Sequence, residues 1–332
     1  MRRVNGMLHY VVHGVPITTD FPIRDWPSAK HGAPAIAGDE QWLITLDNTG
    51  EALAAGGLPT MDPPHISWNE EDPSVAVLTM RGETDGTASA VRFTTRWNDR
   101  WIHVEFTHGH DTDQVADLLS RWFVPQIARL HGALPLHAAA LTNGTDAILI
   151  CGESGAGKSS TSAALTMNGW RLLSDEPVLI WPAASRDGAP ALWPGRTTLS
   201  VDRPTLQALG HPRAESAPED RFGKCTLRSD AYRGDNSLKR PPGPAVTPTQ
   251  IWYLTGRQPV TAPPKVTPLD PTAATEVLMA QRHAGASYAR NVRLDFPRAG
   301  LVASRIPVLA VSLPHDLRTL GSTAAALAIA PE

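Results

Sequence analysis

Eight consecutive residues near the middle of the chain have the types and spacing of a phosphate-binding loop, Gly152-Glu153-Ser154-Gly155-Ala156-Gly157-Lys158-Ser159. The glycines let the backbone curl so that successive N–H groups face phosphate oxygens, and the lysine supplies a cation for the β- and γ-phosphates. The Ser159 hydroxyl suits Mg²⁺, and Ser160 continues into a helix-favouring segment whose positive end would point at the same phosphates. The motif predicts binding of a nucleoside triphosphate, ATP or GTP.

Three further residues are candidates for chemistry: Asp175 and Glu176 after the next predicted strand, and His137 before the loop. Neighbouring parallel strands end at one edge of a sheet, so the acidic pair would face the phosphates. Because side chains alternate along a strand, one carboxylate would bind magnesium and the other would face substrate. Spacing alone favours a solvated acidic turn equally, and a histidine between Leu and Ala is more often a core or surface residue.

The segments that must position these residues alternate between strand and helix patterns, which indicates an α/β fold for a domain over residues 132–332. The helix predicted after the loop ends at Gly169, a residue suited to a helix C-terminus. Strands are predicted at 134–141, 147–151, 250–254 and 306–313, a strand pair or one bent strand at 172–174 and 177–181, helices at 158–168 and 272–284, and mobile loops near 213–248.

Residues 1–131 are predicted to form a β-rich region that ends in a helix, so the chain is α+β overall. Short runs of Val, Ile, Thr and aromatic residues predict its strands, and Asn98-Asp99 favours a tight hairpin turn. Apolar residues at helical spacing predict a helix over 111–130, which Pro125 kinks or splits. The predicted strands are 7–12, 41–46, 75–80, 90–97 and 101–107.

The composition excludes several classes of protein. A hydrophobic content of 42% supplies a core, and 19% charged residues are too few for a wholly disordered chain. A net charge of -3 predicts no nucleic-acid partner, and the lack of a long apolar run predicts no membrane span and no signal peptide. Cys151 and Cys225 form no disulfide or metal pattern, so a cytoplasmic location is the simplest expectation.

Residues 136–139, the loop with its preceding strand, and the Gly-Trp-Arg-Leu-Leu-Ser-Asp-Glu segment at 169–176 resemble the catalytic domain of HPr kinase/phosphorylase. The resemblance covers about residues 134–181 and implies a P-loop kinase core similar to that of phosphoenolpyruvate carboxykinase, with ATP and Mg²⁺ as cofactors. It implies that Asp175 is the base for a serine hydroxyl, that Glu176 lies near the metal and that His137 lies beside the reacting group. The chain departs from the family pattern at Ser160, where Glu is usual, and at Glu176, where Asp is usual.

Residues 8–17 and the Pro-containing turn at 20–22 are similar to the start of an HPr kinase-like branch found with lasso-peptide biosynthesis. Lys224 and the segments 250–254 and 306–309 extend this similarity. Members of the branch phosphorylate a precursor peptide, in the known type on its C-terminal serine. The resemblance therefore implies a peptide partner, and HPr kinase itself also suggests an assembly of identical subunits.

These inferences predict Mg²⁺-dependent phosphoryl transfer from ATP, with Lys158 on the phosphates, Ser159 and Glu176 on the metal, and Asp175 as base assisted by His137. Alternative functions are a small-molecule kinase, for instance for a free amino acid, an HPr-type protein serine kinase, and a nucleotide hydrolase or sensor. Segments 213–221 and 228–244 would form a lid, a peptide groove or solvated loops. Candidate charge stabilisers are Arg171, Arg196 and Lys224, for each of which ordinary surface charge is the simpler interpretation.

Overall fold

The computed structural model describes residues 3–4, 7–23, 26, 41–47, 65–68, 75–84, 87–106, 112–183, 188–219, 223–228, 245–283 and 289–329. The chain divides into two compact units, Met1–Val124 and Pro125–Glu332. Helices and mixed sheets are both present, which confirms the predicted α/β class. Within these ranges, no helix has both the length and the apolar character that crossing a membrane requires.

The first unit contains an eight-stranded mixed sheet of order β1-β2-β3-β4-β8-β7-β6-β5. Each strand predicted in this region has a counterpart, and the predicted hairpin joins β7 to β8, with Arg96 opposite Trp101. β3 was not predicted, because a proline inside a short run weakens the strand pattern. The strands are β1 (Arg3–Val4), β2 (Met7–Val12), β3 (Val15–Thr19), β4 (Trp42–Asp47), β5 (His65–Trp68), β6 (Val75–Thr84), β7 (Thr87–Arg96) and β8 (Trp101–Phe106).

The predicted helix over 111–130 consists of three helical pieces: α1 (Thr112–Leu118), a π-helical turn (Leu119–Phe123) and α2 (Val124–Leu130). The Val124 N–H donates to the Leu119 carbonyl, five residues back, which widens the helix directly before Pro125. Proline lacks an N–H and its ring crowds the preceding turn, so a widened turn accommodates it without a break. Asp111, the first residue of the predicted helix, lies outside the described residues.

The second unit is built on a six-stranded sheet of order β12-β10-β11-β17-β19-β18, accompanied by a three-stranded sheet β14-β13-β9 and a pair β15-β16. Its strands are β9 (Leu134–Leu136), β10 (Ala138–Thr142), β11 (Ala147–Gly152), β12 (Arg171–Asp175), β13 (Val178–Trp181), β14 (Ala191–Leu192), β15 (Thr198–Asp202), β16 (Lys224–Arg228), β17 (Gln250–Gln258), β18 (Lys265–Pro268) and β19 (Val308–Pro314). Its helices after α2 are α3 (Lys158–Met167), α4 (Arg203–Ala208), α5 (Pro271–Ala280), α6 (Ala289–Ala303) and α7 (Leu317–Ile329).

β11 lies in the middle of this unit and is buried on both faces. Ile148 and Ile150 join a cluster with apolar residues of α3 and α7, whereas Leu149 and Cys151 join a cluster with residues of α5 and α6. A strand covered by helices on both sides needs apolar residues at every position, as the run Ala-Ile-Leu-Ile-Cys provides. The loop that follows β11 is therefore anchored in a fully buried part of the unit.

Segment 213–248, predicted as loops, also contains strand β16, and residues 220–222 and 229–244 of it lie outside the described residues. The predicted helix at 272–284 is α5, and Ala284 is likewise outside them. Helices α6 and α7 were not predicted. Pro297 inside α6 and the many small residues of α7 weaken the amphipathic pattern on which a helix prediction depends.

Gly321 of α7 and Gly300 of α6 provide a matched test of how closely α7 packs on α3. A Cβ atom at Gly321 would lie 2.7 Å from the main-chain oxygen of Ala164 and would also collide with the Asn168 amide, whereas at Gly300 the nearest atom would be Thr275 Oγ1 at 4.0 Å. Gly321→Ala should lower the free energy of unfolding by roughly 1–3 kcal/mol through overpacking. Gly300→Ala should raise it by roughly 0.5–1 kcal/mol through helix propensity. Urea denaturation measures both, and equal effects would contradict the close approach.

Candidate functional site

The predicted phosphate-binding loop connects the end of β11 to the start of α3. Gly155 and Gly157 have positive φ angles of 81° and 97°, and Gly157 caps the helix in the left-handed conformation. At Gly152, a Cβ atom would lie 2.8 Å from the main-chain oxygen of Leu254 on the neighbouring strand β17, so the close approach requires glycine. The strand, the turn and the helix N-terminus required for a phosphate cradle are all present.

Lys158 is the first residue of α3, and its ammonium group folds back over the loop. Its Nζ donates to the main-chain oxygens of Gly152 at 2.5 Å and Glu153 at 3.3 Å. Burial lowers the pKa of Lys158, while the carboxylates of Glu176 and Asp175, among other groups, oppose that shift. The acidic pair therefore lies close enough to the loop to act on the charge of its lysine.

The other residues of the motif differ in exposure. Glu153, Ser154 and Gly155 form the exposed crest of the loop, where the Ala156 N–H donates to the Glu153 carbonyl at 3.1 Å. Residues 156–160 are half-buried, and Ser159 and Ser160 lie in the first turn of α3. Ser159 thus occupies the helical position from which a P-loop hydroxyl contacts Mg²⁺.

The acidic pair reaches the loop edge of the sheet by a different arrangement from the one predicted. β12 is not a neighbour of β11, because β10 lies between them and is antiparallel to both. β11 and β12 consequently run in the same direction and end at the same edge. Ala139 of β10 pairs with Ile150 on one side and Asp175 on the other. Two strand spacings of about 4.8 Å put Asp175 roughly 10 Å from β11.

His137 lies between two strands, β9 and β10, and not within one as predicted. Glu176 has the equivalent place between β12 and β13. The chain passes from the three-stranded sheet to the central sheet at His137, and from the central sheet to the three-stranded sheet at Glu176. His137 Nδ1 lies 2.9 Å from Glu176 Oε1, and each side chain is 38% exposed. The Glu176 N–H also donates to the Ala138 carbonyl at 3.1 Å.

The backbone of Glu176 has a φ angle of 25°, which is uncommon for a residue with a side chain. Strand alternation therefore does not set the direction of its side chain, in contrast to the expectation for an acidic pair at a strand end. Such backbone outliers concentrate at functional sites, where the surrounding structure holds them. The conformation adds to the case that Glu176 has a function.

Asp175 is the last residue of β12, and the segment that follows Trp193 runs beside it. The Asp175 N–H donates to the Arg196 carbonyl at 2.8 Å, and the Gly195 N–H donates to the Leu173 carbonyl at 3.0 Å. The backbone of Arg196 is therefore adjacent to the candidate base. Of the three basic residues considered as charge stabilisers, Arg196 is the one that the fold brings beside Asp175.

The other two candidate charge stabilisers, Arg171 and Lys224, are farther along the strands that contain them. Arg171 begins β12 and is level with Thr142 and Ala147, at the edge of the sheet opposite the loop. Lys224 pairs with Asp202, the last residue of β15, whereas Arg196 lies before the first residue of that strand. A strand of this length spans roughly 13 Å, so the backbone of Lys224 is at the far end of β15 from Arg196.

Gln281, which was not predicted as a site residue, contacts both the loop and His137. It is only 4% exposed. Its Oε1 accepts from the Gly152 N–H at 3.0 Å and its Nε2 donates to Glu153 Oε1 at 3.0 Å. Its main-chain oxygen accepts from the His137 N–H at 2.8 Å. A glutamine just beyond a helix carries no motif, so the sequence offers no signal for it.

Arg257 of β17, also not predicted, lies against the start of α3. Its Nη2 donates to the Gly157 carbonyl at 3.2 Å and to Thr161 Oγ1 at 3.1 Å. Burial lowers the pKa of Arg257, and among the described residues its buried Nη1 has no hydrogen-bond partner. A second cation therefore lies beside the loop without a carboxylate among those residues to offset it, which favours an anion nearby.

No protein-family model matches the sequence, and no curated protein is significantly similar to it. Among solved structures, the chain is similar to the Hpr(Ser) kinase/phosphatase from Coxiella burnetii, with 14% identity and a TM-score of 0.31 over 58% of this chain and 94% of that one.

The thiol of Cys151, which directly precedes the loop, provides a test of how well β11 is packed. Burial raises its pKa to about 12, and its Sγ donates to the Trp252 carbonyl at 3.3 Å. Cys225 is buried as well. At pH 8, iodoacetamide should therefore leave both cysteines unmodified in the folded protein and modify both in urea, as measured by mass spectrometry. A Ser304→Cys variant, which puts a thiol at an exposed position, should be labelled in the folded state, and rapid labelling of Cys151 would contradict the packing.

Proposed function

We propose that this protein is a magnesium-dependent kinase that transfers the γ-phosphoryl group of ATP to a serine hydroxyl of a peptide. The observation that carries the proposal is the single sheet edge at which the phosphate-binding loop, Asp175 and the His137–Glu176 pair lie together. A phosphate-binding loop by itself only binds nucleotide. A carboxylate placed roughly 10 Å along the same edge can serve as the base that phosphoryl transfer to a hydroxyl requires.

The loop would bind the triphosphate through its main-chain N–H groups and the N-terminus of α3. Lys158 would release its contacts with the Gly152 and Glu153 carbonyls and turn to the β- and γ-phosphates. Because burial already disfavours its charged form, an anionic ligand is a better partner for the ammonium group than the two carbonyls. Arg257 would add to the positive potential at the start of the helix.

Mg²⁺ fits the oxygen donors of this edge. The Ser159 hydroxyl and the Glu176 carboxylate are the residues that would hold it, and hard oxygen ligands are those that Mg²⁺ prefers. When bound, the ion would offset negative charge on the phosphates. His137 contacts one oxygen of Glu176 and would fix the orientation of that carboxylate, as hydrogen-bond partners of metal ligands do.

Asp175 would orient the acceptor hydroxyl and take its proton as the new bond forms between the hydroxyl oxygen and the γ-phosphorus. The bond from that phosphorus to the bridging oxygen of ADP breaks, and ADP leaves. The Asp175 N–H bond to Arg196 and the turn closed by Ser174 Oγ and the Pro177 carbonyl fix the backbone on both sides of this carboxylate. Such anchoring suits a group that must hold one geometry through the reaction.

The acceptor in this proposal is the C-terminal serine of a lasso-type precursor peptide. Support for it comes from sequence resemblance at residues 8–17, 250–254 and 306–309. The resemblance to the HPr kinase catalytic domain at residues 134–181 supports the ATP and Mg²⁺ requirement in the same way. An assembly of identical subunits is a further part of the proposal that rests on resemblance.

Asp175→Asn should lower phosphoryl transfer by about 10²–10⁴-fold while ATP binding stays within a few-fold of the normal value, because the amide keeps the shape but cannot accept the proton. Lys158→Ala should instead weaken ATP binding as well as transfer. Glu276→Gln, the equivalent change on an exposed face of α5, is the matched control and should behave as the unmodified protein. Calorimetric ATP titrations and transfer rates separate the two effects, and normal transfer by Asp175→Asn would rule out its role as base.

The acceptor is tested by mass spectrometry of a peptide panel incubated with the protein, Mg²⁺ and ATP. The panel holds lasso-precursor-like peptides that end in serine, the same peptides ending in alanine, and HPr protein. We expect the mass of phosphate on the serine-ended peptides only, and its loss with Lys158→Ala or Asp175→Asn. ATP consumption without any phosphorylated peptide would contradict the peptide acceptor and favour a small-molecule kinase or a hydrolase.

A further inference from the structure

We propose that Gln281 is a positioning residue that holds the Glu153 carboxylate in one orientation, so that this acidic side chain does not compete with the triphosphate for the loop. The inference rests on the proposed function in one respect, namely that the loop binds nucleotide. A carboxylate at the second position of a phosphate-binding loop repels phosphate, so the orientation of Glu153 affects nucleotide binding. The structure shows what restrains it.

The orientation of the Gln281 amide is determined by its two partners. The Gly152 N–H is a donor and therefore requires Oε1, at 3.0 Å, and the Glu153 carboxylate is an acceptor and requires Nε2, at 3.0 Å. Rotation of the amide by half a turn would oppose two donors and two acceptors. With a side chain that is 4% exposed, Gln281 has little freedom to do otherwise.

Glu153 is close enough to the reactive parts of the site for its orientation to matter. Its negative charge raises the pKa of Lys158, against a larger lowering by burial. It also raises the pKa of Tyr253, which burial raises by a larger amount. Lys158 is the cation that would bind the phosphates, so a carboxylate free to approach it would form an ion pair that competes with ATP. The Gln281 amide engages that carboxylate instead.

The backbone around Gln281 joins the loop to the other half of the site. The Gln281 carbonyl accepts from the His137 N–H, the His283 N–H donates to the Pro135 carbonyl at 3.0 Å, and Arg282 lies opposite Leu136. Residues 281–283 thus extend β9 as a short antiparallel addition. Gln281 therefore bonds to the first glycine of the loop through its side chain, and to His137 of the His137–Glu176 pair through its main chain.

Four variants separate the hydrogen bonds from the charge. Gln281→Met keeps the net charge and the approximate size but removes both side-chain bonds, and Gln281→Glu sets two carboxylates against each other. Glu153→Gln keeps the hydrogen bond between the two side chains, since its carbonyl can accept from the Gln281 amide. The double variant Glu153→Gln/Gln281→Glu restores both bonds: the new carboxylate accepts from the Gly152 N–H, as Gln281 does, and also accepts from the new amide, so donor and acceptor are exchanged only between residues 153 and 281.

Binding of Mg-ATP, measured by calorimetry, should weaken at least about tenfold in Gln281→Met and in Gln281→Glu, the equivalent of one charge-assisted hydrogen bond. The double variant should bind at least about tenfold more tightly than Gln281→Glu, because it regains the hydrogen bond between the two side chains. Glu153→Gln should bind more tightly than Gln281→Met, because it has no carboxylate at position 153 to compete with ATP for Lys158. Thermal unfolding without nucleotide identifies a variant that has lost its fold, and the double variant then still decides the question. Normal binding by Gln281→Met, or a double variant as weak as Gln281→Glu, would overturn the inference.

The pH profile of binding distinguishes this role from simple packing. Facing carboxylates raise the pKa of one of the pair, so in Gln281→Glu a proton taken up between pH 8 and pH 5 would restore a hydrogen bond to Glu153. The affinity of this variant relative to the unmodified protein should therefore recover at the lower pH, whereas that of Gln281→Met should not. A flat ratio for both variants would overturn the inference. If the unmodified protein binds no Mg-ATP at any pH, the proposed function itself fails, an outcome distinct from equal binding by all variants.

Discussion

The candidate site depends on the hydrogen bonds that the antiparallel strand β10 makes with β11 on one side and with β12 on the other. It forces β11 and β12 to run in the same direction without touching. Their carboxyl ends then lie at one edge, with the width of a single strand between them. The predicted phosphate-binding loop follows the end of β11, and the acidic pair lies at the end of β12. In the proposed reaction, the phosphoryl group and the acceptor hydroxyl would meet at this edge, between the loop and the acidic pair.

The second requirement is that the chain crosses between the central sheet and the three-stranded sheet at this edge in two places. β9 leads into β10 at His137, and β12 leads into β13 at Glu176, so both residues occupy bends between sheets. Side chains at such bends are freed from strand alternation, and these two meet at 2.9 Å while each is still 38% exposed. If the histidine and the glutamate were within continuous strands, each side chain would point to one face of the sheet. The change of sheet is therefore what makes a solvent-accessible polar pair possible beside a fully buried strand.

The parts of this site that carry a local pattern could be predicted from the sequence, and those created by tertiary contact could not. The loop, β11 and α3 follow from glycine spacing and from an apolar run, and all three have nearly the predicted limits. The acidic pair was expected at the right edge for an incorrect reason, because no local signal reveals that β10 inserts between two parallel strands. Gln281 and Arg257 contact the loop from more than 90 positions away in sequence. Neither residue type nor spacing can predict contacts between residues so far apart.

The distribution of charge over the edge gives these placements a common reason. Lys158 and Arg257 lie on the loop side, where burial disfavours the charged form of each. A triphosphate bound between them would replace water with an anion and so offset that cost. Two acidic side chains at this edge have contacts of their own: Glu176 lies against His137, and Glu153 accepts from the neutral amide of Gln281. A lysine in place of that amide would neutralise Glu153 more completely but would add a cation with its own attraction for phosphate. A glutamine restrains the carboxylate without altering the field that the nucleotide meets.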